Sequence, residues 1–120
     1  MKKDYRIKKS QEIETVMKKG FSKANPHFIV YKYPNPQHDH FRMAISVGKK
    51  LGIAVQRNHV KRRIRAICTE HMNDIDPKFD YFIIARKGVP DLDFQTFKAS
   101  LEQIFIKMKV IPKKNMDRKE

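Results

Sequence analysis

The stretch that decides the fold lies at residues 41–73 and reads FRMAISVGKKLGIAVQRNHVKRRIRAICTEHMN. Residues 41–47 alternate between apolar and other side chains, which predicts a strand with one buried face. Gly48 and Gly52 then enclose a turn. From Val55 to about Asn73, apolar residues recur three and four positions apart, and that spacing predicts a long helix. A strand, a turn and a helix therefore form the centre of the chain.

Strands and helices are also predicted on both sides of this centre. Residues 80–85, DYFIIA, form a nearly continuous apolar run, as expected for a strand covered on both faces. Residues 28–33, FIVYKY, are rich in β-branched and aromatic side chains, which predicts a strand that ends at Pro34. A short amphipathic helix is predicted from its cap at Ser10 to Gly20, and a last helix starts at its cap Asp93. The last helix has one apolar stripe, formed by Phe94, Phe97, Leu101, Ile104, Phe105 and Met108.

The predicted order of elements is α-β-β-α-β-α. This is an α/β chain of the α+β two-layer sandwich type, in which helices pack on a small sheet. A chain of 120 residues can bury one core, so we assign residues 1–111 to a single domain. Residues 112–120 are mostly charged and have little to bury, and we expect them to form a disordered tail.

The net charge of the chain indicates which kinds of partner it binds. Its 27 Lys and Arg residues oppose 13 Asp and Glu residues, for a net charge of +14. Such an excess favours a polyanionic partner, nucleic acid first and an anionic membrane surface second. Because neither an apolar run of about 18 residues nor a signal-peptide pattern occurs, we expect a cytoplasmic protein with no membrane partner. The single cysteine, Cys68, excludes an internal disulfide and a multi-cysteine zinc site.

The predicted central helix has a face that collects positive charge. At about 100° per residue, one arc should face the core, and it holds Val60, Ile64, Ile67, Cys68 and His71. The adjacent arc holds Asn58, Lys61, Arg62 and Arg65, with Arg57 at its boundary, and no acidic residue occurs before Glu70. An ordinary solvated helix face, the alternative interpretation, would alternate in charge sign. The accumulated like charge favours a surface for RNA phosphates, which the planar arginine fork holds by paired hydrogen bonds.

These residues carry a family resemblance. The pattern Lys49-Lys50-x-Gly52-x-Ala54-Val55-x-Arg57-Asn58-x-x-Lys61-Arg62-x-x-Arg65 resembles the signature of the bacterial ribonuclease P protein family. Residues 6–9, RIKK, and residues 83–86, IIAR, are similar to that family as well. The resemblance extends to about residue 108.

The resemblance implies a fold and a function. The fold would contain an unusual left-handed β-α-β crossover that leads into the central helix. The function would be to assist a catalytic RNA that removes the 5′ leader from precursor tRNA. The RNA subunit would hold the Mg²⁺ ions and perform the hydrolysis, so the protein itself would have no catalytic residues, no metal site and no cofactor. The expected partners are the catalytic ribonuclease P RNA and precursor tRNA, with no obligate protein partner.

The resemblance also assigns two groups of residues. Those expected to bind the RNA subunit are Lys49, Lys50, Arg57, Asn58, Lys61, Arg62 and Arg65. Those expected to line a cleft for the precursor-tRNA leader are Ile13, Met17, Phe28 and Tyr31. In a regular strand Phe28 and Tyr31 face opposite ways, so both would line one cleft only if the strand twists or bulges.

This chain differs from the family pattern at four positions: Ile13, Met17, Ile53 and His59. The family often has phenylalanine in place of Ile13 and Met17, and for these two residues packing of the first helix on the sheet is the alternative role. It often has asparagine in place of Ile53 and a second arginine in place of His59.

Two alternative functions are compatible with a small, strongly basic chain. A ribosomal or ribosome-assembly protein would share the charge and the fold class, and a DNA-binding repressor would need a recognition helix within a helical bundle. Metal binding by His38, Asp39 and His40 is a weaker hypothesis than a solvated loop. Cys68 lies on the apolar arc, which predicts a buried and inert thiol.

Overall fold

The computed structural model describes residues 2–113. Three helices and four strands occur within this range. In chain order they are α1 (Ser10–Lys19), β1 (Phe21–Ala24), β2 (Phe28–Pro34), β3 (Arg42–Ser46), α2 (Ala54–Glu70), β4 (Phe79–Ala85) and α3 (Phe94–Lys107). Short 3₁₀ turns lie at Lys3–Tyr5, Lys49–Leu51 and Val89–Asp91.

The four strands form one mixed sheet in the order β1-β2-β4-β3. β2 pairs antiparallel with both β1 and β4, whereas β3 and β4 run parallel. Because two parallel neighbours need a crossover connection, α2 provides the link between β3 and β4. The β-α-β unit expected in the centre of the chain is therefore present. Its left-handed sense stays a prediction of the resemblance.

Helices cover both faces of the sheet. The larger core joins one sheet face to α2 and α3, with Val30, Ile83, Ile64 and Leu101 among its buried residues. The smaller core, on the other face, joins Val16 of α1 to Ile7, Ala44 and Phe82. Residues of β4 contribute to both cores, so the prediction that this strand is covered on both faces is confirmed. The α+β class is confirmed too.

The sequence did not predict β1, and the observed order is α-β-β-β-α-β-α. All four residues of this strand are exposed, and it lies at an edge of the sheet. A strand this short, with no buried face, carries no alternation that a pattern could reveal. Its existence depends on pairing with β2, in which Phe21 lies opposite Lys32.

Helix boundaries differ slightly from the prediction. Ser10 is the first helical residue of α1 and its side chain caps nothing, since Lys9 occupies the N-cap position. α2 ends at Glu70 rather than near Asn73. Asp93 does cap α3, because its side chain accepts a hydrogen bond of 3.0 Å from the Thr96 N–H.

The apolar stripe of α3 packs as predicted except at its first residue. Phe97, Leu101, Ile104, Phe105 and Met108 are buried, whereas Phe94 is 43% exposed. At the predicted boundary between domain and tail, Ile111 is buried and Pro112 and Lys113 are exposed. The rest of the predicted tail, residues 114–120, lies outside the described residues. Within residues 2–113, no helix has the length and apolar character needed to cross a membrane.

Candidate nucleic-acid interface

The turn before α2 is shaped by Gly52. Its φ of 137° lies in a region that side chains rarely adopt, and a Cβ there would collide with Oε1 of Gln56. Because position 52 has no side chain, Oε1 of Gln56 fits there and accepts a hydrogen bond of 3.2 Å from the Ile53 N–H. Arg57 Nε donates to the Gly52 carbonyl at 3.1 Å. These two bonds join the glycine turn to the first turn of the helix and hold Arg57 against it.

The core-facing arc of α2 is confirmed. Val60, Ile64, Ile67 and Cys68 are each at most 1% exposed. His71, at the C-cap, is half-buried and pairs through Nε2 with Oε2 of Glu102 at 2.6 Å. Burial raises the pKa of the Cys68 thiol to about 12, which agrees with the inert cysteine predicted from the sequence.

The basic residues of the motif surround the opposite side of α2 and the turn before it. Lys49, Lys50, Asn58 and Arg62 are exposed, and Arg57, Lys61 and Arg65 are partly buried. In the part of the chain that the structure describes, none of these cations forms an ion pair, because the carboxylates that do pair are bound to Arg42, His71 and Lys98. The positive charge of the motif is therefore not compensated by carboxylates among residues 2–113.

The structure adds Arg6 to this basic surface. The N-terminal segment runs along the free edge of β3, where the Ile7 N–H donates to the Met43 carbonyl at 2.9 Å. This places Arg6 close to Arg65. Burial lowers the pKa of Arg65, and the positive charge of Arg6 lowers it further. In the sequence, residues 6–9 were noted only as part of the family resemblance, because no local pattern shows that two residues far apart in the chain lie close together.

Three of the four predicted cleft residues lie on α1 or on the sheet face that α1 covers. Ile13 and Tyr31 are partly buried and pack on the smaller core, and the rings of Tyr31 and Phe82 are 6.1 Å apart. Met17 of α1 is 40% exposed. An apolar, half-open surface that includes the rings of Tyr31 and Tyr33 is therefore present between α1 and β2.

Phe28 is not part of that surface. It is fully buried in the larger core, on the other face of the sheet, and its ring meets Phe97 edge-on at 5.4 Å. The strand is regular enough between Phe28 and Tyr31 that the two side chains point to opposite faces, as period-2 geometry requires. The assignment of Phe28 to the leader cleft was wrong.

Sequence reasoning missed an ionic cluster at one end of this cleft. Arg42 donates to Asp80 through Nε at 3.0 Å and Nη2 at 2.7 Å, and to the two carboxylate oxygens of Glu12 at 3.3 Å. The Asp80 carboxylate is the main cause that raises the pKa of Arg42. Because Glu12 belongs to α1 and Asp80 to β4, the cluster ties the helix to the sheet. No signal in the sequence links three residues so widely spaced.

The histidine loop does not gather metal ligands. The His40 ring stacks on Tyr5 at 4.2 Å, and the centroids of His38 and His40 are 6.4 Å apart. A different group, Glu70, His71 and Glu102, brings one ligand atom each to within 4.8 Å of the others. However, Lys98 Nζ lies 2.9 Å from Oε1 of Glu70, so the lysine ammonium group already forms an ion pair with that carboxylate.

Comparisons with known proteins point to one family. The family model described as Ribonuclease P matches residues 1–109. The chain is 46% identical over 114 residues to the ribonuclease P protein component of Halalkalibacterium halodurans. The aligned region covers 95% of this chain and 96% of that protein. It is 45% identical over 111 residues to the protein of the same name from Enterococcus faecalis, with 92% and 94% covered.

Solved structures of that family have a similar fold. The Staphylococcus aureus RNase P protein superposes with a TM-score of 0.86 at 42% identity, covering 90% of this chain and 98% of that one. An S. aureus mutant described as defective in mRNA degradation activity gives 0.87 at 43% identity, covering 91% and 92%. The Thermotoga maritima protein gives 0.74 at 30% identity, covering 82% and 92%.

Proposed function

This chain belongs to the ribonuclease P protein family and is the protein component of a ribonuclease P. We propose that it binds two RNA molecules on two different surfaces. The basic surface of α2 and its turn binds the catalytic RNA subunit. The half-open surface between α1 and β2 receives the 5′ leader of precursor tRNA. Hydrolysis, and the Mg²⁺ it needs, belong to the RNA subunit. The family match also decides against the ribosomal and repressor alternatives.

The single observation that carries this proposal is the uncompensated charge of the motif. Lys49, Lys50, Lys61, Arg62 and Arg65 have no carboxylate partner among residues 2–113. Clustered like charges cost stability in the free protein, and phosphates would relieve that cost by replacing the repulsion with charge-assisted hydrogen bonds. An RNA backbone supplies such phosphates at regular spacing.

The leader surface is supported by its shape and chemistry. A single-stranded leader exposes base faces, whereas duplex tRNA hides them in its helical stack. Tyr31 offers one ring for stacking, and Ile13 and Met17 offer apolar contact beside it. Because Phe28 lies in the core, Tyr31 is the only aromatic residue at this surface among the four residues that were predicted to line the leader cleft.

The overall assignment is tested by a cleavage assay at low Mg²⁺ concentration. The protein should raise cleavage of precursor tRNA by a bacterial ribonuclease P RNA, because it neutralises phosphates that Mg²⁺ would otherwise screen. Protein rigorously freed of RNA should cleave nothing at any Mg²⁺ concentration. Robust cleavage by that preparation would overturn the division of labour.

The RNA-subunit surface is tested with the Arg62→Ala, Arg65→Ala double variant. Its affinity for the RNA subunit should fall, and the slope of log affinity against log salt should shrink by about one unit for each lost phosphate contact at most. Lys87→Ala, Lys107→Ala is a matched control, because it removes the same number of positive charges from two exposed positions outside the motif. Equal effects of the two double variants would mean that only net charge matters.

The leader surface is tested with Tyr31→Ala. Affinity for precursor tRNA should fall by about 1–3 kcal/mol, the range for loss of one stacked base. Binding of mature tRNA, which has no leader, should stay nearly unchanged. If both RNAs bind equally less well, the leader does not contact Tyr31.

A further inference from the structure

Three side chains with metal-binding atoms meet where the end of α2 faces α3. Glu70 is the last residue of α2, His71 is its C-cap, and Glu102 lies on α3. One ligand atom of each lies within 4.8 Å of the other two. At a rise of about 1.5 Å per residue, this cluster is about 24 Å from the start of α2. It is therefore separate from the glycine turn and the basic residues next to it.

The ligand atoms of the cluster suit Zn²⁺ better than Mg²⁺. Zn²⁺ binds imidazole nitrogen and carboxylate oxygen in a tetrahedral arrangement, whereas Mg²⁺ takes oxygen ligands and keeps several waters. With bonds of about 2.1 Å, the ligand atoms of a tetrahedral site lie about 3.4 Å apart. His71 Nε2 and Glu102 Oε2 are 2.6 Å apart, so this pair has to open by only about 1 Å. Glu70 is exposed, and rotation of its side chain brings the third ligand closer.

A groove beside the cluster gives a cation access and leaves room for water. Its volume is about 390 Å³, and its walls include His71, Glu102, Gln103, Ile106 and Ile111. The His71 and Glu102 side chains are half-buried, so a cation can reach them from solvent. Three protein ligands and one position open to water are the arrangement of zinc sites that are not closed by a fourth side chain.

The electrostatic surroundings of the cluster also favour a cation. The C-terminal end of a helix is the negative end of its dipole, and the last turn of α2 contains no basic residue. Glu70 adds a carboxylate to that negative end. A cation reaches it from α3 instead, since Lys98 Nζ lies 2.9 Å from Oε1 of Glu70. Because an exposed ion pair contributes little, a divalent ion that gains three ligands can displace the ammonium group into solvent.

We propose that Glu70, His71 and Glu102 form a Zn²⁺ site that joins the end of α2 to α3. The inference rests on the ligand atoms and their surroundings and does not depend on the function proposed above. It departs from the expectation, implied by the family resemblance, that the protein has no metal site. Because His71 and Glu102 are 31 positions apart and meet only in the folded chain, bound Zn²⁺ stabilises the fold. The ion takes no part in hydrolysis.

Calorimetric titration of the full chain with ZnCl₂, after removal of metals with EDTA and dialysis, tests the site. One ion should bind per chain. Glu102→Gln should lower the affinity by about 100-fold or more, since even a group that only supports a metal ligand is worth about 10–100-fold. Glu14→Gln, which neutralises an exposed carboxylate on α1, is the matched control and should bind like the wild type. His38→Ala, His40→Ala should also bind normally, and loss of Zn²⁺ binding in this variant instead of Glu102→Gln would overturn the proposal.

A variant that should gain affinity keeps the test independent of folding defects. Lys98→Met removes the ammonium group that competes for Glu70, so Zn²⁺ should bind about fivefold more tightly, the upper end for an exposed ion pair. Lys87→Met removes an exposed positive charge elsewhere and should leave the affinity unchanged. Zn²⁺ should also raise the melting temperature of the wild type but not that of Glu102→Gln. Absence of Zn²⁺ binding by the wild type, or equal affinities of Lys98→Met and the wild type, would overturn the proposal.

Discussion

At the scale of single residues, Ile53 stands out because it occupies the N-cap of α2 and cannot cap. Its φ of −72° and ψ of 169° are the extended backbone that N-cap residues adopt, but its side chain has no acceptor atom. Only Gln56 forms half of a capping arrangement, by accepting from the Ile53 N–H. N–H groups in the first turn of α2 therefore lack a side-chain acceptor.

Ile53→Asn should stabilise the protein by about 1 kcal/mol, because the amide oxygen can accept from the N–H of the second or third helical residue. Ile53 is 68% exposed, so its replacement leaves no cavity. Urea unfolding of both proteins measures the free-energy difference. Ile53→Ala is the control, as it removes the same side chain without adding an acceptor, and equal stability of the two variants would contradict the capping argument.

A second residue-scale prediction concerns Phe28 and Tyr31, which lie on the same strand but on opposite faces. Phe28→Ala should cost about 3–5 kcal/mol of unfolding free energy, because it empties a fully buried site against Phe97. Tyr31→Ala should cost much less, since Tyr31 is only partly buried. Thermal or urea unfolding gives both values. A larger loss for Tyr31→Ala would show that the α1 side of the sheet is the more tightly packed one.

At the scale of elements, Arg42 joins α1 to the sheet through two unequal ion pairs. The Arg42 and Asp80 side chains are 12% and 8% exposed, whereas Glu12 is 39% exposed. A buried charge whose partner is removed becomes costly, while an exposed partner contributes little. The pair with Asp80 should therefore dominate the position of α1.

Asp80→Asn should destabilise the fold by about 3 kcal/mol or more, because it leaves the buried guanidinium without its main counter-charge. Glu12→Gln should cost at most about 1 kcal/mol, as expected for a partly exposed pair. Adding Arg42→Met to Asp80→Asn should recover part of the loss, since the uncompensated charge is then gone. Equal and additive losses for all three changes would argue against a buried ionic cluster.

At the scale of the whole molecule, the net charge of +14 sets how the free protein responds to salt. The ion pairs of Arg42, His71 and Lys98 lie outside the basic motif at residues 49–65, which therefore keeps its positive charge unpaired within the described part of the chain. Self-repulsion should therefore lower the stability of the protein when RNA is absent.

The melting temperature should rise between about 0.05 M and 0.5 M NaCl, because added salt shortens the Debye length and screens the repulsion. Calorimetry at several salt concentrations measures the rise. Arg62→Glu, Arg65→Glu should flatten it, since each substitution replaces a positive charge of the basic motif with a negative one and so reduces the repulsion. A melting temperature that falls with salt in the wild type would mean that attractive pairs outweigh the repulsion.

The sequence by itself determined the local features of this protein. Alternation predicted β3, and apolar spacing of three and four predicted the three helices, because burial of one face leaves a regular pattern in the chain. The β-branched and aromatic composition of β2 and the continuous apolar run of β4 predicted the other two strands. The same geometry predicted the buried arc of α2 and the basic face beside it. The motif at residues 49–65 also indicated the protein family, and the match to the family model confirmed it.

Only the tertiary structure decided which features meet. It paired β1 with β2, turned Phe28 towards α3 and Tyr31 towards α1, and brought Arg6 to Arg65 and Arg42 to Asp80. It also brought His71 to Glu102, which is 31 positions away in the chain. The physical reason is that periodicity records whether a side chain is buried but not which partner covers it. That partner is chosen when the sheet closes and the helices pack on its two faces.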